Sequence, residues 1–211
     1  MNAELIRGKS AQALKSWGVP FLDYLPLLDP IPELREPKQV VHRLLCEYAR
    51  TGLAHDASAE SLFALLEQSG ATAELVEGEE DLFFAELPEE QVNELSWSTE
   101  CTATLAWAGQ LLEGDLLAPE KVTAWARFFP HIEVEPAQLM ERFTLRRIQE
   151  IAQQLDIYYL THAALRHPEA WSWWRRTKPS KYNIIVVEER RRALEWLVDP
   201  NTPWNDISLD T

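Results

Sequence analysis

The sequence predicts an all-α fold: one helical domain over residues 1–211, built around a long central helix, with ordered proline-rich loops and at most one short strand pair. Three observations carry this. Apolar residues recur at helical spacing in most segments, prolines stand at or near the start of several of them, and only two short runs have strand character.

Taken in order, "KQVVHRLLCEYAR" places Val40, Val41, Leu44, Leu45 and Tyr48 on one stripe, the i, i+3, i+4, i+7, i+8 pattern of a helix facing a core. "SAESLFALLEQSG" repeats it with Leu62, Leu65 and Leu66, with Ser58 or Ser61 as the cap and Gly70 as the stop. "PEEQVNELSW", "PEKVTAWARFF" and residues 136–165 each open on proline, whose missing N–H costs nothing in a first turn. The last is about thirty residues long and predicts the central helix. "NIIVV" (183–187) and "TAELV" (72–76) are the strand candidates, and each is short enough to be helix or loop instead. The segment 18–37 is rich in Pro but also in Leu, Phe and Tyr, which suits an ordered strap over the core better than a linker. No repeat and no low-complexity tract interrupts the chain.

A length of 211 residues is ample for a core, and no run of 18 apolar residues suggests a membrane span. The N-terminal stretch lacks an apolar segment of signal-peptide length, so a cytoplasmic location is expected. Cys46 and Cys101 lie in apolar helical contexts and read as buried free thiols. The net charge is −14 and uneven: residues 51–141 carry 19 acids against Lys121 and Arg127, whereas residues 142–192 carry 11 bases against 5 acids. The acidic half repels phosphate backbones, which disfavours nucleic acid as a partner.

Signatures for nucleotide, nucleophile or metal chemistry are absent, and with 7 glycines there is little material for a phosphate-cradling loop. No two of the five histidines stand at i, i+4, and His162 and His167 point about 140° apart on a helix, so neither metal nor cofactor is expected. One stretch does interrupt the apolar pattern. In "LDIYYLTHAALRH", Asp156, Tyr159, His162 and Arg166 share a helical face of about 120°. Either that face is a satisfied polar network, or it lines a cleft with His162 as acid or base and Arg166 as an anion clamp.

The same stretch, followed by "VVEERRRALEWLV" and "PWNDISLDT", resembles the C-terminal signature of a bacterial family known as domain of unknown function 4272. The matching residues are Leu155, Asp156, Tyr159, His162 and Arg166, then Glu189, Arg190, Arg192, Leu194 and Trp196, then Trp204, Asp206, Asp210 and Thr211. Upstream, Arg7, Ser10, Leu14, Gly18, Pro20, Leu25 and Pro26 resemble the family's opening, and Trp97, Glu100, Leu105, Trp107 and Ala108 its central helix. Ser98 stands where the family often has arginine. The resemblance implies a helical fold and brings no activity.

Reading these signatures together predicts a network in which Glu100 or Glu189 pairs with Arg166 or Arg192 across helices, with Asp156 part of it. The functional expectation is a non-catalytic binding protein that engages a basic protein partner, an immunity protein neutralising a toxin being one concrete form. Its surface would be the segment 74–95, where Phe83 and Phe84 sit among Glu77, Glu79, Glu80, Asp81, Glu86, Glu89 and Glu90. The rival is an enzyme acting on an anionic small molecule in a pocket of Asp156, Tyr159, His162, Arg166 and Glu189. Five of the nine tryptophans follow residue 170 (Trp171, Trp173, Trp174, Trp196, Trp204), which raises self-association through that region as a third expectation.

Overall fold

The computed structural model describes residues 2–31, 33–112, 136–173 and 182–210. The expected helix 119–129, His131, the side chains of Trp173 and Trp174 and residues 175–181 lie outside the described residues.

Helix α1 (Ala3–Trp17) is capped by Asn2, whose side chain accepts from Leu5 N at 3.0 Å, and stops at Gly18, which sits in the left-handed region at φ 72°. Helix α2 (Pro37–Leu53) opens on proline. Ser58 rather than Ser61 caps α3 (Ala59–Ser69), and Gly70 ends it. Two single 3-10 turns, Ala71–Glu74 and Glu80–Phe83, lead to α4 (Glu89–Ser96) and α5 (Ser98–Ala108). Then come α6 (Pro136–Arg142), α7 (Ile148–Arg166), α8 (Pro168–Trp173), α9 (Ile184–Val198) and a last 3-10 turn at Trp204–Asp206.

The longer helices stack in a row that does not follow chain order: α1 on α7, α7 on α9, α9 on α5, α5 on α2 and α2 on α3. Helices α5 and α7 are therefore enclosed from both sides. Every residue of α5 is buried, as is nearly all of α7 from Ile151 to Leu165. The proline-rich segment is an ordered strap: Val19, Leu22 and Leu25 enter the core, and the carbonyls of Leu25 and Pro26 accept from Arg7.

One expectation is corrected. The thirty-residue central helix is two helices, broken between Arg142 and Ile148. The break has a tertiary cause: Thr144 N and Arg146 N donate to the carbonyls of Gly109 and Ala108, and Arg146 Nε donates to Trp107 O at 2.7 Å. Those groups cap the C-terminus of α5, whose final carbonyls lack intrahelical donors. Gly109 is required at this junction, because a Cβ there would stand 1.9 Å from the Phe143 ring. Of the alternatives open for the two short apolar runs, "NIIVV" is the start of α9, with the Asn183 side chain accepting from Ile185 N at 2.9 Å, and "TAELV" begins on the first 3-10 turn and leaves it at Leu75. Among the described residues there is no strand.

Candidate functional site

The run "EERRR" on α9 sends consecutive side chains to three different sides, because successive residues on a helix are about 100° apart. Each side meets a different set of partners.

On the first side, Arg190 enters the core between α5 and α7. It donates from Nε to Glu100 Oε2 at 2.8 Å and from Nη1 to the Tyr158 hydroxyl at 2.9 Å. Glu100 thus pairs with Arg190, not with Arg166 or Arg192 as expected. Tyr158, rather than Tyr159, reaches this pair.

The second side faces the polar stripe of α7. Arg191 Nη1 donates to His162 Nδ1 at 2.8 Å, which requires the lone pair on Nδ1 and leaves Nε2 to donate to Glu188 Oε1 at 3.1 Å. The geometry therefore holds His162 neutral. Burial first, and then the Arg191 charge, push its pKa below the ordinary value. The Arg191 guanidinium also stacks 4.9 Å from the Tyr159 ring, and it donates to Glu195 and to the carbonyls of Leu209 and Asp210. Asp156 belongs to the other neighbour of α7, accepting from Arg7 Nη2 at 2.9 Å. Arg166 is exposed.

The expected pocket of Asp156, Tyr159, His162, Arg166 and Glu189 is consequently not one site. Asp156 and His162 are buried and engaged, Arg166 faces solvent, and Glu189 lies on another side of α9. The physical reason is that α7 is packed on both flanks, so its polar face meets arginines instead of a cleft.

The third side of α9, with Glu189 and Arg192, does open on a cleft. A cavity of about 200 Å³ is lined by Glu47 and Arg50 of α2, Glu94 of α4, Ser98 of α5, Glu189 and Arg192, with Trp204 and Asn205 from the last turn. Cys101 Sγ donates to Glu189 Oε2 at 3.2 Å, and burial pushes both groups up, so neither the thiol nor the carboxyl ionises as readily as in water. Arg192 approaches Glu189 within its own helix at 3.6 Å, so the pairing expected across helices runs along one.

Behind this cleft is a buried ionic cluster that the sequence reading missed. Arg43, fully enclosed, donates to both oxygens of Glu79 (2.6 and 2.9 Å) and to Glu47, while Arg50 bonds Glu79 and the Ser98 hydroxyl. The Arg43 guanidinium stacks 4.4 Å from the Trp204 ring. The Arg43, Glu47 and Arg50 spacing on α2 is the one signal that was visible. Burial alone raises the Glu79 pKa, but the bonds and charges of Arg43 and Arg50 outweigh it and hold the carboxyl below its usual value.

Glu79 is thereby corrected from a surface acid to an internal anchor. It also accepts from Val76 N at 3.0 Å, so it pins the loop that carries its neighbours. Glu77, Glu80, Asp81, Glu86, Glu89 and Glu90 are exposed around it. Phe83 is buried against Phe63, whereas Phe84, 71% exposed, meets the same ring edge-on at 5.0 Å. No Lys or Arg occurs from residue 51 to residue 120, so this segment brings no basic side chain of its own to the acidic surface.

The tryptophan-rich region is corrected in part. Trp171, Trp196 and Trp204 are internal, with Trp171 Nε1 bonded to Ala164 O and Trp196 edge-on to Trp204 at 5.4 Å, so these three rings offer no self-association surface.

The family described as Domain of unknown function (DUF4272) matches residues 7–207 of the 211-residue chain. The chain belongs to this family. Comparison with curated proteins and with solved structures finds no match. Within the matched region Trp204 is the ring stacked by Arg43, and Ser98 supplies the hydroxyl that accepts from Arg50 at the cleft wall. Among the described residues no group of three or more His, Cys, Asp or Glu side chains is placed to hold a metal, and no helix is long and apolar enough to cross a membrane.

Proposed function

We propose that the protein is a non-catalytic binding protein of the cytoplasm, engaging a basic protein partner through the acidic face around Phe84, as a bacterial immunity-type protein does with a toxin. The observation that carries the reading is a large aromatic ring held out in solvent on a pinned loop, among six exposed acids. An exposed ring supplies apolar contact area at low entropic cost, while the acids steer a cationic partner. The neutralisation of a toxin is one form of this activity.

Capture of the tagged protein's partners from its native lysate, at low and then high salt, tests the reading. The expected result is one stoichiometric basic protein, released by salt and lost on the triple change Glu86→Gln, Glu89→Gln and Glu90→Gln. A partner retained by that variant, or one indifferent to salt, overturns it.

A further inference from the structure

The cleft beside α9 is distinct from the acidic face and has a chemistry of its own. Its walls are almost wholly polar, and they come from α2, α4, α5, α9 and the last 3-10 turn. Ligand pockets are mostly apolar and of about 300–1,000 Å³. A smaller polar cavity of about 200 Å³ selects a small, strongly hydrated solute.

The bonding inventory says which kind. Arg50 is engaged, by Ser98 through Nε and by Glu79 through Nη1. Arg192 is held only loosely: its Nη2 pairs with Glu189 Oε1 at 3.6 Å, beyond a hydrogen bond, and its Nε, buried against the protein, finds no partner among the described residues. At a contact this long the partly exposed guanidinium can take a better acceptor from the cleft. On α2, Glu47 gives Oε1 to Arg43, while Oε2 stands 3.8 Å from Arg50 Nε, outside bonding range. The cavity thus holds a cation and a carboxylate oxygen that are each under-engaged.

We propose that this cleft binds a small zwitterion of the amino-acid type, its anionic group on Arg192 and its ammonium on Glu47. A simple anion would face Glu47, Glu94 and Glu189, and a simple cation would face Arg50 and Arg192. A dipolar molecule meets both signs favourably. Its anion is a carboxylate or a phosphate, since a guanidinium matches either.

Trp204 lines the cleft, so tryptophan fluorescence reports occupancy of the full-length protein. The probes are the common α-amino acids for the carboxylate source and O-phosphoethanolamine for the phosphate source, at millimolar concentration. Acetate and methylammonium serve as controls of single charge. The expected result is a saturable change with at least one zwitterion and none with either control. Arg192→Gln weakens binding roughly tenfold or more. Arg192 is 37% exposed at its side chain, so this variant is expected to keep the parent's melting temperature, which separates lost binding from lost fold. No saturable response to any zwitterion, an equal response to acetate, or undiminished binding by Arg192→Gln overturns the proposal.

Discussion

The segment from residue 51 to residue 95 and the interior around α9 handle charge in opposite ways. In the first, acids stand in water and the only one that is buried among the loop's acids, Glu79, is met by two arginines from α2. In the second, arginines are drawn inside: Arg7, Arg35, Arg43, Arg190 and Arg191 are all buried, each bonded to carboxylates or main-chain carbonyls, and four of them also lie near an aromatic ring. The planar guanidinium suits this role because its donors fan out in one plane and its faces stack on rings. The difference teaches that the strongly negative charge of the molecule is an outside property. Inside, the signs are closely matched.

This contrast predicts a graded set of effects. The largest comes from leaving an internal arginine without its acid. Glu79→Ala and Glu100→Ala should each cost about 3–5 kcal/mol in chemical denaturation, since a buried charge is then uncompensated. A loss below about 1 kcal/mol for either would mean that the interior is not closed to water, and the contrast would fail.

Acid should then weaken the interior at a definite place. The His162 pKa is lowered on folding, so the unfolded chain binds the proton first, and stability falls as pH drops below the ordinary histidine value of about 6.5. Glu79, also lowered, adds a loss only below the ordinary carboxylate value of about 4.3. Glu189 and Glu195 are raised and act with the opposite sign, losing stability as pH rises through their folded values. His42, lowered by its burial and then by the Lys38 charge, acts with the same sign, so melting curves of His162→Gln should show a shallower fall below about pH 6.5 than the parent's. Identical pH profiles for the two would place the control elsewhere.

A kinetic effect follows for the thiols. Burial pushes the Cys46 pKa up to about 12 and raises that of Cys101 as well, so both should react with a thiol reagent far more slowly in the native protein than in denaturant. Prompt labelling of either in the native state would show access that the packing of α2 and α5 does not provide. Smallest of all is Arg166→Ala, expected within about 0.5 kcal/mol of the parent because its side chain is exposed. A large loss there would reinstate Arg166 as a member of the buried network.

How much of this was legible depended on where the deciding partner lay. The stripes of α2 and α3 and the glycine stop at Gly70 are local, and the sequence displays them directly; α1 and its stop at Gly18 were not read from it. The break between Arg142 and Ile148 is not local, because the pattern on either side stays helical and the demand comes from the carbonyls of α5. Glu79 among Glu77 and Glu80 is likewise indistinguishable by composition, since its arginines lie about thirty residues away. The polar stripe of α7 was visible, and so was the alternative that it is a satisfied network. What the sequence did not show was that Arg7 and Arg191, approaching from opposite neighbours, would close it. The cleft at Glu189 and Arg192 required two residues of α9 to be assigned to a different side from Arg190 and Arg191, which only packing decides.

The pairing of Arg7 with Asp156 spans 149 residues, and that of Arg35 with the Trp196 carbonyl spans 161. During synthesis, then, α1 and the segment leading into α2 emerge with guanidinium groups whose counterparts have not yet been made. Such long separations slow folding and prolong exposure of unfinished surface. The order of helices in the stack, with the first laid on the seventh, makes the early half of the nascent chain dependent on the late half until α9 arrives.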